Sequence, residues 1–185
     1  CGKKGISNEE QNCINCLNNF YFIENTMNCF DNNTVPDGYY YNSEDNNYKK
    51  CYKSCKKCLS GSEEKDNQKC TECSQNYYFI QDTQNCFNNE EIPENYYFDE
   101  NTKKYGKCYN NCKTCNNSSK SENEQNCLSC IENYYPVEGT NNCFDSNTKV
   151  NGFYFDEIEK KYLKCYDECN TCNKKGTTEK MNCLS

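Results

Sequence analysis

The sequence contains no histidine and no tryptophan. Histidine is the side chain that most often serves as a general base near neutral pH, so its absence removes the commonest acid–base chemistry and every mixed Cys/His metal site, while leaving an all-cysteine site open. Apolar residues are scarce as well. The 7 Ile, 5 Leu, 3 Val and 9 Phe make 24 of 185 residues, about 13%, below the ~20% that marks chains unable to build a conventional core. Mean hydropathy is -1.20. The apolar area on offer therefore cannot offset a backbone ordering cost of roughly 1–2 kcal/mol per residue. No run approaches the ~18 apolar residues that span a bilayer. Residue 1 is Cys rather than Met and no apolar leader precedes the cysteines, so any signal or anchor is expected outside this segment. The net charge of -7 repels phosphate backbones, which argues against a nucleic-acid partner.

What the chain does have is 20 cysteines. That density is the mark of a disulfide scaffold, in which each bridge shrinks the unfolded ensemble and contributes about 2–4 kcal/mol. Bridges persist in oxidising surroundings, so an extracellular or cell-surface location is expected.

The cysteines recur with a strict period of 57: Cys51, Cys108 and Cys165 correspond, as do Cys55, Cys112 and Cys169, and Cys58, Cys115 and Cys172. The unit reads C-x3-C-x2-C-x11-C-x2-C-x12-C followed by 21 residues without cysteine, and it is seen whole from Cys51 to Cys86 and from Cys108 to Cys143. Cys1, Cys13, Cys16 and Cys29 fit its third to sixth slots, and Cys165, Cys169, Cys172 and Cys183 its first to fourth, with one residue deleted before Cys183. Such self-similarity marks a repeat array. The expected organisation is a partial repeat over 1–50, complete repeats over 51–107 and 108–164, and a partial repeat over 165–185.

Aromatic residues keep the same period. Asn19, Asn76 and Asn133 precede aromatic pairs, Phe30, Phe87 and Phe144 follow the sixth cysteine, and Tyr48, Tyr105 and Tyr162 precede the next first cysteine. NFYFIENTMNCF, NYYFIQDTQNCF and NYYPVEGTNNCF read as two short strands around an Asn/Asp/Gly turn, here hairpin A. YYYNSEDNNYKKC, YYFDENTKKYGKC and FYFDEIEKKYLKC read the same way, as hairpin B. Pro136 falls in a hairpin A strand, which suits an edge. The polar segments 59–69 and 116–126 read as solvated loops.

Cys55-x2-Cys58-x11-Cys70-x2-Cys73 is also a zinc tetrathiolate pattern. A zinc site would leave Cys51 and Cys86 as free thiols at fixed places, whereas six slots divide evenly into three bridges, which favours disulfides.

CYKSCKKC, CTEC, NYYFIQDTQNC and IPENYYFDENTKKYGKC together resemble the furin-like, growth-factor-receptor-type cysteine-rich repeat over essentially the whole chain. VPDGYY at 35–40 and IPENYY at 92–97 are similar to that family's Cys-Pro-x-Gly-Tyr phrase, with Val35 or Ile92 where the family has cysteine. The second cysteine of that bridge is missing too, so hairpin B is expected to lack its staple, with Tyr39, Tyr40, Tyr41 and Tyr48 packing in its place. The resemblance implies that first and third, second and fourth, and fifth and sixth cysteines pair. It would join Cys51 to Cys58, Cys55 to Cys70, Cys73 to Cys86, Cys108 to Cys115, Cys112 to Cys127, Cys130 to Cys143, Cys16 to Cys29, Cys165 to Cys172 and Cys169 to Cys183. Cys1 and Cys13 are left over, to pair with cysteines before residue 1 or with each other. It further implies a small disulfide-rich fold, mostly β-hairpin and loop without a conventional hydrophobic core, whose tandem repeats stack as an elongated rod like those of protist, ciliate-like surface proteins.

No carboxylate constellation survives from repeat to repeat: Asp99 and Glu100 correspond to Asn42 and Ser43, so the acids read as solvated turn charges and neither an enzyme nor a cofactor is expected. FDNN at 30–33 and FDSN at 144–147 could ligate calcium through oxygen, but turn chemistry accounts for them equally well. Sequons at Asn32, Asn116 and Asn117 offer N-glycan acceptors, the last two in a polar loop. The 17 tyrosines could offer platforms for partners, although their fit to the period favours packing between hairpins. The leading functional expectation is an extracellular structural protein, a rod segment of a surface coat, matrix or filament whose partners are neighbouring repeats and other copies. The alternative is a receptor or adhesin module that binds a ligand through its polar loops.

Overall fold

A computed structural model describes residues 7, 10–31 and 33–185, and they form short strands, turns and loops with no helix among them. Cys1 and the sequon residue Asn32 lie outside the described residues. The chain divides into two compact units, Cys1–Glu91 and Ile92–Ser185. The first unit holds β1 (Phe20–Phe22), β2 (Cys29–Asp31), β3 (Tyr39–Asn42), β4 (Asn47–Lys50), β5 (Cys55–Cys58), β6 (Cys70–Cys73), β7 (Tyr78–Phe79) and β8 (Cys86–Phe87). The second holds β9 (Tyr96–Asp99), β10 (Lys104–Lys107), β11 (Cys112–Cys115), β12 (Cys127–Cys130), β13 (Tyr134–Pro136), β14 (Cys143–Asp145), β15 (Phe153–Asp156) and β16 (Lys161–Lys164).

Every named strand pairs antiparallel with its neighbour in sequence, so each sheet is a two-stranded ribbon. Hairpin A is β1–β2, β7–β8 and β13–β14, and hairpin B is β3–β4, β9–β10 and β15–β16. Pro136 closes β13 opposite Cys143, on an edge as every strand here is. A third ribbon, hairpin C, was not expected: β5–β6 and β11–β12 are built from the C-x2-C segments themselves. Their cysteines are separated by Lys56, Lys57, Thr71 and Glu72, or by Lys113, Thr114, Leu128 and Ser129, a pattern with little strand propensity. The ribbon holds because two of its corner cysteines are bonded across it and the other two are tied outward, and each copy carries a bulge, with Cys55 opposite Cys73, Lys57 opposite Glu72 and Cys58 opposite Cys70.

Five positions in each repeat sit in the left-handed region, and asparagine occupies several of them. Asn19, Asn76 and Asn133 (φ 67, 66 and 64°) lead into hairpin A, and Asn25, Asp82 and Gly139 (60, 61 and 72°) form its turn. Gly38, Asn95 and Gly152 (81, 68 and 78°) lead into hairpin B, and Asn46, Lys103 and Lys160 (51, 53 and 50°) form its turn. Asn12, Lys69 and Asn126 (55, 61 and 62°) precede the fourth cysteine. Glycine, asparagine and aspartate tolerate this region because they either lack Cβ or can bond locally to the backbone. Asn42, Asp99 and Asp156 then cap the hairpin B turn, each Oδ1 accepting a backbone N–H two residues on at 2.9 Å.

The backbone ties the ribbons together at the same period. Hairpin A joins B through Glu24 N–H to Tyr48 O and Glu138 N–H to Tyr162 O. Hairpin B joins C through Gly38 N–H to Lys56 O, Asn95 N–H to Lys113 O and Gly152 N–H to Asn170 O. Hairpin C joins the next A through Cys70 N–H to Gln84 O and Cys127 N–H to Asn141 O. The buried interior is mostly cysteine, supplemented by Ile23, Ile80 and Val137, Phe87 and Phe144, and Tyr48, Tyr105 and Tyr162.

Candidate functional site

The repeating feature of the molecule is its cross-linked interior. In the structure hairpin C is the centre of the staples: Cys58 is bonded back to Cys51, Cys55 to Cys70 within the ribbon, and Cys73 forward to Cys86. The second unit carries Cys108–Cys115, Cys112–Cys127 and Cys130–Cys143, and the flanking segments carry Cys16–Cys29, Cys165–Cys172 and Cys169–Cys183. Their Cα atoms lie 5.0–5.8 Å apart, inside the ordinary range for bridges. The four thiols of the zinc-like pattern thus point into three different bridges, and among the described residues no group of three or more Cys, Asp and Glu is placed to hold a metal. Cys13 is half-buried and carries no bridge.

Inside this framework sits a residue that the cysteine pattern does not announce. Gln68 and Gln125 are 1% and 0% exposed although they lie in segments expected to be solvated loops. Gln125 Oε1 accepts the Cys143 N–H at 2.8 Å, its Nε2 donates to Glu122 O at 2.7 Å, and its own N–H donates to Asn142 Oδ1 at 2.9 Å. Gln68 makes the same bonds to Cys86 N–H, Lys65 O and Asn85 Oδ1, and its Oε1 also accepts the Ser54 hydroxyl at 2.6 Å. Gln11 bonds the Cys29 N–H at 2.9 Å in the first repeat. One amide therefore satisfies a buried strand donor and a loop carbonyl together, fixing the polar loop against hairpin A, where an unpaired group would cost about 1–3 kcal/mol. The available signal was the phrase Gln-x-Cys at positions 11, 68 and 125, in step with the period.

The second recurring centre is a tyrosine between hairpins A and B. Tyr48 and Tyr162 are 0% and 1% exposed. Tyr48 donates its hydroxyl to Asp31 O at 2.6 Å, and Tyr162 donates to Asp145 O and to Thr148 O, the latter at 2.8 Å. Burial, and then the charge of Asp145, pushes the Tyr162 phenol up to about 12; burial and Asp31 raise that of Tyr48. The rings pack with those of neighbouring strands: Tyr41 lies 5.7 Å from Tyr48, and Phe155 5.3 Å from Tyr162. Tyr105 is likewise buried and lies 5.2 Å from Phe98.

The candidate calcium segments are locally saturated. Asp31 accepts from the Asn33 and Thr34 N–H groups and from the Thr34 hydroxyl, and Asp145 from the Asn147 N–H and the Thr148 hydroxyl. The threonine hydroxyl in each case is the main cause that holds the carboxyl below the usual carboxylate range.

An open groove of about 820 Å³ in the first unit is lined by Asp37, Lys50, Tyr52, Lys53, Lys56 and Glu72. Lys56 Nζ meets Glu72 at 2.5 Å and Lys57 meets it at 3.3 Å. The pairing raises the Lys56 ammonium and lowers the Glu72 carboxyl, moving both away from neutrality, the reverse of what a general acid or base at pH 7 needs. Asn116 and Asn117 follow β11 in an exposed loop, where Asn117 Oδ1 accepts the Ser118 N–H at 2.8 Å.

No family model matches the chain, and no solved structure matches it. Among curated proteins it is similar to furin-like protease 2 of Drosophila melanogaster, 26% identical over 141 residues that cover 76% of this chain and 7% of that protein. It is also similar to proprotein convertase subtilisin/kexin type 5 of Branchiostoma californiense, 34% identical over 83 residues covering 45% and 4%. Proprotein convertase subtilisin/kexin type 6 of Homo sapiens matches at 33% identity over 66 residues, covering 36% and 6%. The chain spans less than a tenth of each of these relatives. With the tandem hairpins and the nine bridges among the described residues, these matches support a furin-like cysteine-rich repeat.

Proposed function

We propose that this chain is an extracellular structural module, a rod-like segment of a larger surface-coat, matrix or filament protein, with a role in reach and covalent toughness. The observation that carries the reading is uniformity: staples, the buried glutamine at 68 and 125 and the buried tyrosine at 48, 105 and 162 recur in step, and among the described residues each bridge closes within its own repeat. A binding module would be expected to concentrate a distinctive apolar cluster in one repeat. Bridges of this density suit the oxidising conditions of secretion, and N-glycans on the 116–126 loop fit the same route. The neighbouring repeats, and other copies of the chain, are the partners in this reading.

Small-angle scattering of the oxidised chain tests it. A globule of this length would have a radius of gyration near 16 Å, whereas repeats advancing by two short strands each, roughly 30–40 Å, would give a value approaching ~30 Å. A globular value would remove the physical basis of a spacer or fibre and leave the receptor or adhesin reading in its place.

A further inference from the structure

Tyr21 on β1 and Tyr41 on β3 bring two phenol rings from different hairpins to 4.7 Å between centroids, with 53° between their planes. Both side chains are half-buried, so one flank of the pair faces solvent. The Tyr41 hydroxyl donates to Asn46 Oδ1 at 2.8 Å. A phenoxyl radical carries its unpaired spin on oxygen and on the ortho and para carbons, and the para carbon of tyrosine is blocked by the side chain. Ortho-to-ortho coupling is therefore the reaction open to the pair, with the 4.7 Å proximity of the two rings supplying the advantage of an intramolecular step.

We propose that Tyr21 and Tyr41 are a site of oxidative dityrosine cross-linking that staples hairpin A to hairpin B. Each phenol gives up one electron and one proton to a peroxidase-type one-electron oxidant. The two radicals join through a new ortho carbon–carbon bond, and the displaced ring hydrogens move to the oxygens, restoring both aromatic rings. One hydrogen peroxide takes up the two electrons and two protons and leaves as two waters. The bond would cross a joint that no disulfide among the described residues spans, since Cys16–Cys29 ties the segment before β1 to β2 and Cys51–Cys58 links the end of hairpin B to hairpin C. Tyr48, the third ring of the cluster, lies 6.5 Å edge-on from Tyr21, and its hydroxyl is buried against Asp31 O, which shields it from the same oxidation.

The third repeat holds the matching control. Tyr135 and Phe155 sit at the same positions, 4.7 Å apart with 49° between planes, and lack the second hydroxyl. Phe98 and Phe155 occupy the place of Tyr41, so Tyr41→Phe installs a residue this fold already accommodates. The intact oxidised chain is treated with a plant peroxidase and one equivalent of hydrogen peroxide, then followed by dityrosine fluorescence and by mass spectrometry of proteolytic fragments. The expected product is a monomer lighter by two hydrogens in which the peptides of Tyr21 and Tyr41 are joined. Tyr41→Phe should lower the yield about tenfold or more, and Phe155→Tyr should add a second link through Tyr135. Absence of cross-linking, links spread over other tyrosines or between chains, or a yield unchanged by Tyr41→Phe would overturn the proposal.

Discussion

Replacing Gln125 with alanine removes an acceptor and a donor from a position that water does not reach. Cys143 N–H loses its partner at 2.8 Å and Glu122 O loses its donor at 2.7 Å. An unpaired buried donor costs about 1–3 kcal/mol, and the space vacated by the amide adds to it, so a loss of about 3 kcal/mol is expected. The bridges Cys112–Cys127 and Cys130–Cys143 remain, so the opening should be local, and hydrogen exchange at the Cys143 amide is the direct assay. Exchange should speed by about a hundredfold, since 1.4 kcal/mol is about tenfold in an equilibrium constant. Gln125→Glu provides a signed control. Protonated, the carboxyl can accept from Cys143 and donate to Glu122 O; ionised, it becomes a buried charge facing a carbonyl, so this variant should be most stable at low pH and lose protection as pH rises. Unchanged Cys143 exchange in the alanine variant, or no pH dependence in the glutamate variant, would refute the role assigned to this amide.

Tyr162 should ionise late in a spectrophotometric titration. The fold favours its neutral form, so its contribution to stability is present in full below the unfolded value near 10 and is lost as pH rises towards about 12; Tyr162→Phe should abolish the late step and cost about 1–2 kcal/mol in denaturant unfolding. Gly139→Ala, at φ 72°, should destabilise the chain by about 1–2 kcal/mol, whereas Gly139→Asn should be close to neutral because Asn25 and Asp82 hold the same turn at 60 and 61°; equal thermal shifts for the two variants would contradict this. Peptide mapping of secreted material should find N-glycan on Asn116 or Asn117, and unoccupied sequons there would count against a glycosylated loop.

Hairpins A and B were legible because their strands are runs of aromatic residues broken by Asn, Asp or Gly, residue types whose physics dictates a turn. Hairpin C was not, because Lys56, Lys57 and Glu72 are depleted in strands and only Thr71 favours one, so the ribbon exists through its corner cysteines. The spacing C-x2-C-x11-C-x2-C reads equally as a metal site, and six cysteines admit many pairings, so spacing alone cannot choose among them. The aromatic period pointed to Tyr48 and Tyr162 as core, but the backbone carbonyls that their hydroxyls reach lie at and just beyond the ends of β2 and β14, in the partner hairpin, where no local pattern announces them. Gln68 and Gln125 were hidden for a different reason. A lone amide in a run of charged residues looks solvent-facing, and only its recurrence at the period sets it apart.

If covalent staples closed within each repeat hold this chain together, proteolysis of the oxidised protein without reductant will release them as paired peptides. The expected peptides join first to third, second to fourth and fifth to sixth cysteines, as in Cys51–Cys58, Cys55–Cys70 and Cys73–Cys86, with no bridge joining the cysteines of different complete repeats. Quantitative alkylation of these thiols without reductant, accompanied by about one zinc ion per repeat, would contradict it.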